Sequence, residues 1–256
     1  MSDSSDTVTA ALCIIGNEIL SGRVQDANLA FLGQGLNEVG VQLREVRVVP
    51  DIEDEIVAAV NALRARYTYV FTTGGIGPTH DDITPESVAK AFGRRAVHHP
   101  VAYARLEEWY RNNDREFTEA RKRMTLMPEG AELVDNAVSI APGFRVENVF
   151  VMAGVPQIMR AMFEAAKPLL RGGKSVRSRT IGTRVVEGVL AGPLGEIQKR
   201  FPHSDIGSYP YYGAPGGNGV NLVVRSTDPG DLDGAGDAIL AMIRDLGGDV
   251  LDDVRG

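Results

Sequence analysis

Two periods of hydrophobic positions alternate along the first 170 residues. Residues 9–15 (TAALCII) are an unbroken apolar run, as expected of a strand buried on both faces. After a loop between Gly16 and Gly22, Leu29, Leu32, Leu36 and Val39 fall at helical spacing, which predicts a helix over 26–39 stopped by Gly40. Residues 41–49 read as a second strand. Pro50 and Asp51 then open a helix whose inner face is Ile52, Ile56, Val60 and Leu63. Residues 67–73 (YTYVFTT) are β-branched and aromatic and predict a third strand. That strand breaks at Gly74, Gly75 and Gly77. A helix restarts with Thr84 as N-cap, Pro85 in its first position and an apolar stripe of Val88, Ala91 and Phe92. Strand and helix in alternation predict an α/β fold with a parallel sheet covered on both faces.

The pattern over 98–127 is helical and rich in Arg and Glu, with Trp109, Tyr110 and the cluster Arg121, Lys122 and Arg123. Short strands are expected at 133–134 and 149–152, followed by a helix from Ile158 to near Leu170. Residues 171–175 (RGGKS) form the best linker, which divides the chain into domains at 8–171 and 176–256. The second domain reads as small α+β: a strand over 179–189, a helix over 194–201, strands over 205–212 and 220–225 around the loop 213–219, and a helix over 232–246.

The strand, glycine turn and helix over 67–92 concentrate the candidate chemistry. In an open parallel sheet, ligands bind outside the carboxyl ends of strands. Gly74, Gly75 and Gly77 allow close backbone approach, and free N–H groups there suit an anion such as phosphate. Asp81 and Asp82 repel an anion, and a divalent cation (Mg²⁺, Mn²⁺, Co²⁺ or Ni²⁺) held by Asp82, helped by Asp81 or Asp51, reconciles the two, since Mg²⁺ is bound by one or two carboxylates plus substrate phosphates. Glu18 and Asn28 flank the loop after the first strand, on the side of the same crevice. Each assignment has a plain structural alternative. The glycines serve a tight turn, Asp81 and Asp82 solvate a loop, Asp51 caps a helix, and Glu18 and Asn28 belong to ordinary loop and helix-start chemistry. Gly173-Lys174-Ser175 ends like a P-loop, but Pro168 occupies the required upstream glycine position. G-x-S-x-G and C-x-x-C are absent, which removes support for acyl transfer and zinc sites.

Composition narrows the class. A net charge of −7 argues against a general nucleic-acid binder. Cys13 is the only cysteine, which forbids an internal disulfide and fits a cytoplasmic protein. Residues 1–7 are Ser/Asp-rich and are expected to be a disordered tail rather than a signal peptide, and no apolar run approaches a membrane span.

The run 72–86 (TTGGIGPTHDDITPE), the segment 16–22 with Asn28, residues 49–51, residues 121–130 with 141–144, and residues 153–156 resemble the molybdopterin-binding domain family, and within it the amino-terminal part of CinA-type proteins. The resemblance covers residues 9–170 well and the tail more loosely. It implies a three-layer molybdopterin-binding-like fold with a mostly parallel sheet, often assembled as a homo-oligomer. It also implies a small-molecule ligand, nucleotide or pterin, contacted by Gly16, Glu18, Asn28, Thr73, Thr79, Pro142, Gly143, Gly154 and Pro156 besides the central glycines. In molybdopterin-handling relatives the carboxylates matching Asp51 and Asp82 serve metal-dependent adenylyl chemistry. In CinA-like proteins the domain is associated with metal-dependent cleavage of ADP-ribose, and a similar motif in eukaryotic FAD synthases accompanies FAD hydrolysis. The resemblance does not extend to the deamidase domain of typical CinA. The expectation is therefore a nucleotide-diphosphate pyrophosphatase, with a non-catalytic binding module or molybdopterin adenylyl transfer as the alternatives.

Overall fold

The computed structural model describes residues 7–214 and 217–256; residues 1–6 of the expected tail, and 215 and 216 of the expected loop, lie outside them. The chain divides into two compact units, Met1–Gly173 and Lys174–Gly256.

The first unit runs β1 (Val8–Ile15), α1 (Asn17–Leu20), α2 (Asn28–Glu38), β2 (Val41–Val49), α3 (Glu53–Arg66), β3 (Tyr69–Thr73), α4 (Thr84–Ala91), β4 (Ala96–His98), α5 (Pro100–Asn112), α6 (Glu119–Lys122), β5 (Leu126–Pro128), β6 (Glu132–Val134), β7 (Gly143–Val146), β8 (Val149–Met152) and α7 (Pro156–Ala166). Its main sheet has the order β2-β1-β3-β8-β7-β6. The pairs β1–β2, β1–β3 and β3–β8 are parallel, whereas β8–β7 and β7–β6 are antiparallel. Strand β1 shows why the sheet sits in the middle layer. Ala11, Cys13 and Ile15 join one apolar core with Ile56, Val60 and Leu63 of α3 and Val88 of α4. Ala10, Leu12 and Ile14 join the opposite core with Leu32 and Leu36 of α2 and Met159, Met162 and Phe163 of α7. Burial on both faces is what an unbroken apolar strand requires. Burial also pushes the Cys13 thiol up to about 12, so it stays protonated and acts as a small apolar side chain.

Several expectations are corrected. Residues 17–20 form a helical turn rather than loop. Leu29 and Ile52 are exposed, and α3 buries Ala59 in addition to Ile56, Val60 and Leu63. The region 98–127 is not one helix. It breaks after Asn112, where Asp114 adopts a positive φ of 52°, and it begins and ends in the strands β4 and β5, which pair with each other.

The second unit contains β9 (Arg177–Thr183), α8 (Glu187–Arg200), β10 (Asp205–Ala214), β11 (Gly217–Ser226), α9 (Pro229–Asp245) and β12 (Val250–Arg255). Its antiparallel sheet has the order β10-β11-β9-β12. The helices cover one face through Leu190, Ile197, Leu232, Ile239 and Ile243 over Ile181, Leu222 and Val224. The first strand ends earlier than expected and the helix after it is longer. Strand β12 is additional. It is tied down by Arg179, which is 4% exposed and makes paired 2.8 Å bonds to both carboxylate oxygens of Asp253.

Candidate functional site

The carboxyl ends of β2, β1, β3 and β8 share one rim, and the connection from β6 into β7 reaches the same side because β7 runs antiparallel to β8. A cavity of about 820 Å³ opens along this rim. Glu18, Asp51, Gly74, Gly75, Gly77, Thr79, Asp81, Asp82, Gly154 and Pro156 all lie in its wall. Asn28 and Thr73 line an adjoining recess of about 70 Å³ that shares Glu18, Gly154 and Pro156 with it. Sequence-distant candidates are thus gathered by sheet topology.

The β3 loop is shaped by its glycines. Gly74 has φ 106°, and a Cβ there would run into the Ile15 carbonyl; Gly75 has φ 66°, and a Cβ there would strike the Thr84 hydroxyl. Thr84 is not the N-cap of α4, a position held by Ile83. It is fully buried, and its hydroxyl donates to the Gly74 carbonyl at 3.0 Å, pinning the turn from below. Gly154 packs directly on the Gly74 Cα, and its carbonyl accepts a 2.9 Å bond from the Asn28 amide. The rim is therefore cross-tied from β1 through β3 to β8.

The carboxylates differ in how they are held. Asp82 accepts from the Thr79 backbone N–H at 2.8 Å and from the Thr79 hydroxyl, and it lies against Gly77. Asp81 is exposed. Its carboxyl is held below the usual range by the Thr79 hydroxyl, then by its own backbone N–H, with His80 adding a smaller attraction. Asp51 does not cap α3, whose N-cap is Ile52; instead it accepts a 2.8 Å bond from the Asn17 N–H at the start of α1. Arg123 supports the loop from outside, donating to the Asp82 carbonyl at 3.0 Å and to Glu86 at 2.8 Å.

Two buried side-chain oxygens beside the recess have no protein partner: Thr73 Oγ1, in a residue 1% exposed, and Asn28 Oδ1, in a residue 4% exposed. Buried polar atoms are normally paired, so these two are positioned for a ligand or water. Among the described residues, no three His, Cys, Asp or Glu side chains converge as a ready-made cation cage. The donor set suits a hard cation that takes one or two carboxylates here and completes its shell with ligand oxygens and water.

Three expected residues stand back from the wall. Gly16 is buried behind Glu18, whose carboxylate folds over it. Pro142 and Gly143 are buried beneath the loop 138–141, with Gly143 pressed on the Val151 carbonyl and Met162, so they anchor that loop while Val138, Ser139, Ile140 and Ala141 face the cavity. Sequence reasoning missed the apolar side of the cavity, formed by Val24, Ile76, Trp109, Tyr110, Met124 and Val138. The adjacent aromatics Trp109 and Tyr110 were its only visible signal.

This geometry has relatives. Residues 11–172 match the model of the probable molybdopterin binding domain, and residues 175–247 match that of the FAD synthase middle domain. The chain belongs to the molybdopterin-binding domain family. A protein of Pyrobaculum calidifontis is 35% identical over 250 residues, covering 93% of this chain and 95% of its own length. A CinA-like protein of Desulfosudis oleivorans is 36% identical over 202 residues, which make up 75% of this chain and 48% of the relative. The crystal structure of CinA from Thermoplasma acidophilum, described as of unknown function, matches with a TM-score of 0.59 and 33% identity, covering 64% of this chain and 98% of that one. Among the described residues, no helix is long and apolar enough to cross a membrane.

Proposed function

We propose that this protein is a metal-dependent hydrolase that splits the diphosphate of an adenine dinucleotide-like compound such as ADP-ribose or FAD. The observation that carries the reading is the meeting, in one cavity, of the Gly74, Gly75 and Gly77 backbone with the carboxylates of Asp81, Asp82, Asp51 and Glu18. The Gly74 N–H is already donated to the Met152 carbonyl at 3.1 Å, so it is the Gly75 and Gly77 N–H groups that suit phosphate oxygens. Asp82, assisted by Asp81 or Asp51, would hold a divalent cation that neutralises phosphate charge and activates a water. Thr73 and Asn28 offer unpaired oxygens to the ligand from the recess. Self-association and a cytoplasmic setting belong to the same reading, and light scattering on the purified chain measures the first.

The test is incubation with ADP-ribose and with FAD in Mg²⁺, Mn²⁺, Co²⁺ or Ni²⁺, each with and without EDTA, followed by chromatography. AMP formed only with metal, and lost in Asp82→Ala, is the expected result. Tight nucleotide or pterin binding without product replaces the hydrolase with a binding module, and an adenylylated pterin replaces it with group transfer.

A further inference from the structure

The cavity wall changes character along the rim. Asp51, Glu18 and the glycine loop follow β2, β1 and β3, whereas residues 138–141 lead into β7 at the far side of the sheet. Neighbouring strands lie roughly 4.8 Å apart, so the entry to β7 sits two strand spacings, or about 10 Å, from the glycine loop. Helix α5 is tied to the start of this connection by Arg105, which donates to Asp135 at 2.6 Å, and Trp109 and Tyr110 of α5 line the cavity together with Met124 and Val138. Helix α5 packs inward through Ala102, Leu106 and Tyr110, which leaves Trp109 partly exposed. The Trp109 and Tyr110 rings stand perpendicular with centroids 5.0 Å apart. The Arg115 guanidinium lies 5.7 Å from the Trp109 centroid, and that of Arg121 4.6 Å from the Tyr110 centroid. A partly exposed indole in a cavity wall, edged by a second aromatic ring and with a guanidinium over one face, is a platform for a planar heteroaromatic ring.

We propose that Trp109 is a specificity-determining residue that stacks a planar heteroaromatic ring. The ligand is then a phosphate or diphosphate carrying such a ring, with a sugar or sugar-alcohol spacer crossing from the glycine loop to the Trp109 wall. The proposal rests on the reading of the glycine loop as the phosphate end, and its test does not depend on turnover.

Trp109 is the only tryptophan of the chain, so intrinsic fluorescence reports directly on this wall. The wild-type protein is titrated with AMP, FAD, ribose 5-phosphate and inorganic pyrophosphate, and affinities are measured in parallel by calorimetry. AMP and FAD, which carry a planar aromatic ring, are expected to quench Trp109 saturably, and ribose 5-phosphate and pyrophosphate, which carry none, are not. Stacking removed by alanine corresponds to a loss of about 5- to 150-fold in affinity. Trp109→Ala should therefore weaken AMP by that factor and leave pyrophosphate unchanged, while Trp109→Phe, which keeps an aromatic face and guards against simple unfolding, binds AMP within a few-fold of wild type. Absence of saturable quenching by any ring-bearing compound, or equal AMP affinity in Trp109→Ala, overturns the proposal. Ring-dependent quenching without hydrolysis removes the hydrolase and leaves the stacking wall. Hydrolysis with an unchanged KM in Trp109→Ala does the reverse.

Discussion

Asp51 anchors α1 and is proposed to help hold the cation, and two substitutions tell these roles apart. Helix α1 is a four-residue turn with no side-chain cap of its own; its first N–H, from Asn17, is satisfied across the rim by Asp51 at 2.8 Å. Asp51→Ala strands that donor. Asn17 is exposed, so water replaces the bond in part, and the loss is about 1 kcal/mol, the usual magnitude for a removed helix cap. For a unit of this size that corresponds to a fall in Tm of about 2–4 °C. Asp51→Asn keeps an oxygen acceptor in the same place, so its Tm should stay within about 1 °C of wild type, but it removes a negative charge from the cavity. If the carboxylate helps to hold the cation, both variants lose about 100-fold or more in metal-dependent turnover, on the scale of a deleted electrostatic catalytic group. The assay pairs differential scanning calorimetry with AMP release at saturating metal. Wild-type turnover by Asp51→Asn would refute the charge argument, and an unchanged Tm in Asp51→Ala would refute the anchoring argument.

Asp82→Asn, which keeps an acceptor for the Thr79 N–H, should abolish metal-dependent AMP release while the circular dichroism spectrum stays unchanged; retained activity sinks the assignment. Gly74→Ala places a Cβ at φ 106° against the Ile15 carbonyl and should destabilise the first unit by about 2 kcal/mol, read from urea midpoints. Thr73→Val replaces an unpartnered buried hydroxyl with a methyl, so stability should hold or rise by about 1 kcal/mol while calorimetric ligand affinity falls. Arg179, by hydrogen bonding and then by charge, holds the Asp253 carboxyl below its ordinary value. A depressed carboxyl stabilises the fold above the unfolded aspartate pKa of about 3.9 and loses that contribution as pH falls through the lower folded value. Melting of the second unit should therefore drop on acidification below the ordinary aspartate range, and Asp253→Asn should flatten that drop.

The central sheet was legible because a strand buried on both faces has no polar alternative, as β1 shows. What stayed hidden has physical reasons. Strand β12 was not expected because its six residues are all exposed, so no apolar pattern marks it, and a buried arginine holds it through Asp253. Helix α8 contains Gly188, Gly192, Pro193 and Gly195, so its first half has poor intrinsic propensity and stands on the packing of Leu190 and Ile197. Strand β7 is only four residues long and turns into β8 through Glu147, at φ 52°, and Asn148. In the candidate site, Asp81 and Asp82 could be read because they share one loop with the glycines. The Trp109 wall could not, since Met124 and Val138 reach it from separate segments.

The two halves of the cavity are built by different means, and that bears on how its chemistry can vary. At the glycine loop, backbone meets backbone: Gly154 touches Gly74, whose missing side chain leaves room for the Ile15 carbonyl, and Thr84 ties the turn from beneath. A Cβ at Gly74 or Gly154 would meet main chain and one at Gly75 the buried Thr84 hydroxyl, so the shape of this turn is fixed by the fold itself. At the Trp109 wall, side chains from α5, the 3-10 turn at Met124 and the loop at Val138 supply the surface, and none of them belongs to the sheet. Rim substitutions should therefore be read out as stability and turnover together, and wall substitutions as a change in which ring is preferred. On the proposed reading, a single fold keeps one glycine turn for phosphate while its side-chain wall accepts different aromatic groups.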